Sequence, residues 1–135
     1  MGITLSRQQC AQLRIWAENA EPEECCGLLL GHAGNVEIIE LTLNVAADRS
    51  HTFEIDPASL IAAEKAARLG GPSILGYFHS HPNGQCEPSS TDALFALDDG
   101  RIWLIIAGQH ITAWRSVAHD DGPLSFVGVK IVVLG

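Results

Sequence analysis

With 135 residues, 47% of them hydrophobic and 18% charged, the chain can bury one core and has no length to spare for several. Its formal net charge of -8 argues against nucleic-acid and anionic-membrane partners, because both need clustered Lys and Arg to meet phosphate. No apolar run is long enough to span a bilayer, the opening MGITLSRQQC lacks the basic-then-apolar pattern of a signal peptide, and no repeat or low-complexity stretch is present. The expectation is one soluble, cytoplasmic globular domain over residues 1–135, of unknown oligomeric state.

The first element predicted is a helix. Ser6 and Gln9 have the spacing of a capping box, Leu5 and Cys10 that of a hydrophobic staple, and Cys10, Leu13, Ala17 and Ala20 recur on one face before Pro22 ends the run. MGITLS also fits the loose myristoylation pattern, but the cap is the better use of Ser6. CCGLLLGH reads as a buried strand, and NVEIIELTL, after the Gly34-Asn35 turn signal, as its hairpin partner. HTFEI is a third strand candidate. Asp56 and Pro57 then open a helix through ASLIAAEKAARL that stops at Gly70-Gly71. SILGYFH is a strand, SSTDALFAL a helix capped by Ser89, and RIWLIIAG, HITAWRSV and LSFVGVKIVVL are strands. Strands and helices alternate in a way that fits an α/β or α+β sandwich, with a mixed sheet and helices packed on it.

Cys10, Cys25, Cys26 and Cys86 form no C-x-x-C pair, so neither a zinc knuckle nor a disulfide framework is indicated. Small buried hydrophobes in a reducing compartment are the simpler reading.

The chemistry concentrates in GYFHSHPNGQCEPSSTD, residues 76–92. Residues two apart on a strand share a face, so His79 and His81 project together, and Pro82 stops the strand behind them. Two imidazoles at a strand end can converge on one metal ion, and a catalytic zinc takes three protein ligands and leaves a position for water. Asp92 is the candidate third ligand. It sits in the first turn of the helix that Ser89 caps, across a loop that Gly84 and Pro88 allow to double back. Either piece alone reads as structural: Ser-x-x-Asp is also a capping box, and His before a loop is common. Together they favour a metal site.

A hydrolytic metal also needs a base for its water. Glu24, Glu37, Glu40, Glu54, Glu87, Asp98 and Asp99 are all conceivable. Glu24 stands out because it immediately precedes a very apolar strand, where partial desolvation would raise its pKa and suit it to proton transfer. On the residues alone, a solvated Glu in the EPEE turn remains the simpler reading.

These residues resemble the JAMM (JAB or MPN+) zinc metalloproteases. The family pattern is an upstream Glu, then His-x-His-Pro, a seven-residue interval, and Ser-x-x-Asp. Here Glu24 is followed by HSHP at 79–82, by the interval Pro82 to Pro88, and by Ser89 and Asp92. ECCGLLLG, TFEIDPASL and ILGYFHSHP also resemble family segments, so the likeness covers nearly the whole chain. It implies a cytidine-deaminase-like α/β (α+β) sandwich, with a curved mixed central sheet flanked by helices. It implies one Zn2+ per chain on His79, His81 and Asp92, with Glu24 as general base and Ser89 stabilising the oxyanion. The chain looks most like the small stand-alone prokaryotic members, which implies cleavage of amide bonds at the C-terminal Gly-Gly of ubiquitin-like or sulfur-carrier proteins. Two alternatives stand beside this: a metal-dependent hydrolase of small amides or cell-wall peptides, and a non-enzymatic MPN-type scaffold. Scaffold members typically lack the ligands, and all the motif residues are present here.

His32, His51, His110 and His119 are scattered and read as surface histidines, with His51 and His110 the two to check. Trp16, Trp103 and Trp114 read as packing. Cys86 lies in the loop between His81 and Ser89, as an inert loop cysteine or as a thiol whose oxidation or ligation blocks the site.

Overall fold

A computed structural model describes residues 2–120 and 122–135. Strand β1 (Gly2–Ser6) leads into helix α1 (Arg7–Ala20), and a hairpin of β2 (Cys26–His32) and β3 (Asn35–Thr42) follows. Helix α2 (Pro57–Arg68), strand β4 (Ser73–Ser80) and the short helix α3 (Ser90–Phe95) come next, and β5 (Ile102–Ala107), β6 (His110–His119) and β7 (Gly122–Leu134) complete the chain. No helix among the described residues is long and apolar enough to cross a membrane.

The strands run β1-β3-β2-β4-β5-β6-β7 around a sheet so curved that it closes into a barrel, with β1 parallel to β7. The pairing is mixed: β2 is antiparallel to β3 and β4, while β4 and β5 run parallel. The curved mixed sheet with flanking helices is thus as expected, and closure into a barrel is what the sequence did not announce.

Two apolar clusters flank β2 and explain why it reads as one apolar run instead of alternating. Leu29 joins Ile3, Leu5, Leu13, Phe78 and Leu104 on the α1 side, where Trp16 stacks on Phe78 at 5.9 Å between ring centroids. Cys26, Leu28 and Leu30 turn the other way, onto Ile55, Ala63 and Ile74 under α2. Gly27 is small of necessity, since a Cβ there would overlap the Phe78 ring and the Glu40 carbonyl.

The helix starts are as predicted. The Ser6–Gln9 capping box closes in both directions, and Asp56 caps α2 with Pro57 as its first residue. Two readings change. Gly2–Ser6 is a strand, held by pairing with residues 130–134 at the far end of the chain. HTFEI is not a strand, and only Ile55 bridges, to Asn44. The reason is local. The Thr52 N–H turns back to the Asp48 carbonyl, and the Thr52 carbonyl and Glu54 N–H are both taken by the Asn44 side chain. What pairing remains is that one bridge, where the Val45 N–H donates to the Glu54 carbonyl and the Asp56 N–H to the Leu43 carbonyl.

Candidate metal centre

The register of the sheet sets the site. Cys26 at the start of β2 lies opposite His79 on β4, and His79 lies beside Ile105 on β5. His81 stays in line with the sheet because its N–H donates to the Ile106 carbonyl at 2.9 Å. The intervening Ser80 faces away from the histidines. Its hydroxyl accepts the Cys25 N–H at 2.8 Å, and its own N–H donates to the Cys25 carbonyl at 3.0 Å. The middle residue of HSH therefore ties the segment carrying Glu24 to the strand carrying the histidines.

Helix α3 brings Asp92 in from the other side. Ser89 and Asp92 form a second capping box: the Ser89 Oγ accepts the Asp92 N–H at 3.0 Å, and the Asp92 Oδ2 accepts the Ser89 N–H at 2.8 Å. The same Oδ2 lies 3.2 Å from the His79 Nε2 and 3.1 Å from the His81 Nε2, and the two nitrogens are 3.0 Å apart. All three side chains are buried, His79 completely.

This triangle fits a metal on its own chemistry. The His81 Nδ1 donates to the Gln85 carbonyl at 2.7 Å, which leaves a lone pair on Nε2 in the neutral ring. That lone pair then faces a carboxylate oxygen and a second imidazole nitrogen, an arrangement that needs a positive charge at its centre. Ligands of a tetrahedral zinc at 2.0–2.1 Å lie about 3.3 Å from one another, close to the spacing of the triangle. Two imidazoles and a carboxylate are a zinc-type donor set. Burial alone would lower the His81 pKa, but the Asp92 carboxylate and the Gln85 carbonyl raise it overall. Burial would raise the Asp92 pKa, yet hydrogen bonds from His79 and His81 hold it well below the usual carboxylate range. Burial pushes His79 down.

Glu24 lies beside the two histidines. Its carboxylate oxygen and the two imidazole nitrogens lie within 4.8 Å of one another. At 5% exposure it is not the solvated turn residue of the simpler reading, and its Oε1 is buried without a hydrogen-bond partner among the described residues. Burial first, then the nearby Asp92 and Asp48 carboxylates, raise its pKa from 4.5 to about 7 against a lowering contribution from His81. Its backbone is held on both sides, by the N–H donated to the Arg49 carbonyl at 2.7 Å and by the carbonyl receiving the Asn44 amide at 2.9 Å. The burial comes from residues 44–52 folding over it, which nothing near position 24 in the sequence announces.

Phe53, from the same loop, stacks on the His79 ring at 4.3 Å and 19°, and Trp103 meets that ring edge-on at 5.6 Å. Beyond Phe53 a cavity of about 700 Å3 opens against Asp92, walled by Ile55, Leu60, Tyr77 and Trp103. Sequence reading found neither Phe53 nor the cavity. It also passed over Ser80, which the alternation of HSH could have marked as the residue facing the Glu24 segment.

The other histidines stay outside. His32 pairs with Glu37, His51 with Asp48 and His119 with Ser125, all exposed, and His110 is exposed as well. The Cys86 thiol approaches the Gly84 carbonyl at 4.0 Å, and the Cys86 carbonyl accepts the Thr112 hydroxyl. Cys26 is buried and its thiol pKa is pushed up to about 11, first by burial, so it is an inert part of the core.

Comparison with known proteins agrees with this geometry. Residues 6–119 match the family described as prokaryotic homologs of the JAB domain. The chain is 35% identical over 109 residues to the desampylase of Haloferax volcanii, covering 79% of this chain and 76% of that protein. It is 32% identical over 100 residues to a probable TtuB-protein conjugate cleaving protease of Thermus thermophilus, covering 67% of each. A JAB1/MPN domain protein from Archaeoglobus fulgidus has the same fold, with a TM-score of 0.63 at 18% identity over 98% of each chain. The chain belongs to the prokaryotic JAB-domain family and is a metal-binding hydrolase of the JAMM metalloprotease type.

Proposed function

We propose that the protein is a zinc isopeptidase that cuts the amide bond after the C-terminal Gly-Gly of a ubiquitin-like or sulfur-carrier protein. The observation that carries the reading is the buried triangle of His79, His81 and Asp92, 3.0–3.2 Å on each side, with the unpartnered Glu24 carboxylate on its flank. The three close atoms suit ligands to one zinc. Glu24, farther out and with a pKa near 7, suits a proton carrier. When bound there, zinc supplies a Lewis acid that brings the pKa of a coordinated water down to about 7.

Glu24 takes the proton of the attacking water and passes it to the leaving amine. The Ser89 hydroxyl accepts the Asp92 N–H, which leaves its own proton to donate to the oxyanion as the carbonyl becomes tetrahedral. Burial of Glu24, His79 and Asp92 makes both interactions stronger than they would be in water. No covalent enzyme intermediate is required.

The substrate class rests on the relatives, whose names give desampylation and cleavage of TtuB conjugates. Glycine lacks a Cβ, so a Gly-Gly tail can pass close to buried ligands where bulkier residues would clash. We read residues 1–135 as one catalytic domain. Its four free thiols suit a reducing cytoplasm.

Cleavage of a carrier–Gly-Gly fusion, with and without chelator, tests the reading. Chelation should abolish turnover and zinc should restore it. Glu24→Gln should keep the metal and lose about 10²-fold or more in kcat. Wild-type turnover by that variant would remove Glu24 as the base. If a tail changed to Ala-Ala is cut equally well, or a short Gly-Gly peptide is cut as fast as the folded fusion, the enzyme is a hydrolase of small amides instead.

A further inference from the structure

The loop at residues 44–55 touches two parts of the site at once, and one side chain holds it. The Asn44 amide makes four hydrogen bonds, all to backbone. Its Nδ2 donates to the carbonyls of Glu24 at 2.9 Å and Thr52 at 3.1 Å. Its Oδ1 accepts the N–H groups of Ala46 at 3.0 Å and Glu54 at 3.1 Å. Two carbonyls and two N–H groups fix the amide's orientation, and both its donors and both its lone pairs are used.

The partners matter more than their number. Thr52 and Glu54 bracket Phe53, whose ring stacks on His79 at 4.3 Å. The His79 Nδ1 is buried without a hydrogen-bond partner among the described residues. A metal-binding imidazole is ordinarily oriented by an acceptor on its second nitrogen. Here the Phe53 ring stacks on one face of His79 and Trp103 meets the ring at a right angle, with His81 and Asp92 at its Nε2 end. The Glu24 carbonyl is the fourth partner, so the same amide fixes the backbone from which the base projects.

We propose that Asn44 is the positioning residue of this centre, setting the Glu24 carboxylate and, through Phe53, the His79 ring from a single amide. The proposal rests on Glu24 acting as base and His79 as ligand. Asn44 touches neither substrate nor metal. Its effect appears in the rate of the step and in metal retention, not in substrate binding.

The variants to compare are Asn44→Ala, Asn44→Asp and a remote core variant, Leu13→Ala, with all measurements made below every melting transition. Asn44→Asp keeps the acceptor for Ala46 and Glu54 but loses both donors, so it frees the Glu24 and Thr52 carbonyls while the Ala46 and Glu54 N–H groups stay held. Both Asn44 variants should lose about 10²-fold in kcat, since displacing a reacting group by about 1 Å costs that much. KM should stay within about two-fold. Both should release zinc to a chelator about ten-fold faster or more, as expected when the support of a ligand is lost. Leu13→Ala should change neither reading. In hydrogen exchange on the wild-type protein, the Ala46 and Glu54 amides should exchange about ten-fold or more slowly than that of Ala47. Asn44→Ala should also speed exchange at the Glu24 amide.

Wild-type kcat and zinc release in both Asn44 variants, or losses matched by Leu13→Ala, would overturn the proposal. So would Ala46 and Glu54 amides exchanging as fast as Ala47 in the wild type, a result that needs no variant to fold. If the wild-type protein fails to cut the fusion, the substrate reading falls alone, and zinc release and exchange still decide the role of Asn44.

Discussion

Among the described residues are two capping boxes, and they have the same local geometry with different consequences. Ser6 and Gln9 start α1, while Ser89 and Asp92 start α3, each pair exchanging hydrogen bonds of 2.8–3.0 Å. The first opens a helix of 14 residues, and its Gln9 amide goes on to donate to the Val36 carbonyl, locking helix to hairpin. The second opens a helix of only 6 residues, and its Asp92 oxygen goes on to meet two histidines. A capping box is thus a local device that fixes where the third helical side chain points. What that side chain does depends on what the rest of the fold brings before it.

The contrast is broken most severely at the third helical position. Asp92→Ala should strip the metal and lower kcat by about 10²-fold or more, the scale set by losing a group that holds the reacting centre. Gln9→Ala should leave metal content and kcat unchanged and only lower the melting temperature. Metal analysis and kinetics on the two purified variants check this, and full metal in Asp92→Ala would remove Asp92 from the ligand set.

The serines sharpen the comparison. Ser6→Ala and Ser89→Ala each lose a helix cap worth about 1 kcal/mol, measurable by denaturant unfolding. Ser89→Ala alone should also slow turnover by about 10²-fold, the usual worth of an oxyanion donor. Equal and full activity in both would reduce Ser89 to a cap.

The smallest effect is in the pH dependence of the metal-free protein. The depressed pKa of Asp92 contributes stability above its ordinary value of 3.8, which is lost as pH falls. The raised pKa of His81 contributes stability in full below its ordinary 6.5, which is lost as pH rises through the folded value. Glu24, raised from 4.5 to about 7, works against the fold as pH climbs between those values. The depressed pKa of His79 acts the other way, costing stability below its ordinary 6.5, so the part of the slope that Glu24 supplies is a fall in melting temperature of the metal-free protein between about pH 4.5 and 7. Glu24→Gln should flatten part of that slope, and Ser6→Ala should leave its shape unchanged. A steeper alkaline loss in Glu24→Gln would contradict the raised pKa.

The legible part of the site was the part written locally. Alternation puts His79 and His81 on one face, and the spacing from Ser89 to Asp92 is a capping box wherever it occurs. Glu24 was not legible in this way. Its place before an apolar strand marked it among seven candidate carboxylates, but the loop at 44–52 that holds its backbone is remote in sequence, and only the family resemblance set aside the solvated-turn reading. The same loop misled the strand reading at HTFEI, where the Asn44 amide takes the groups a sheet partner would have used. GITLS went unread because its partner, the last strand, lies at the other end of the chain.

That last pairing has a bearing on how the molecule comes into being. Thr4 sits opposite Val132, and Ile3 and Leu5 are each only 1% exposed in the finished protein. Synthesis proceeds from the N-terminus at about 5–20 residues per second, so the partner strand leaves the ribosome roughly 6–25 s after the first. Contacts between such distant segments also form late in refolding, on a scale of milliseconds to seconds. The hairpin of β2 and β3 needs no such wait. Until β7 is made, GITLS has from that hairpin only the bridge of Thr4 to Asn35 and the Thr4 N–H donated to the Gly34 carbonyl, so its burial is completed by the strand made last.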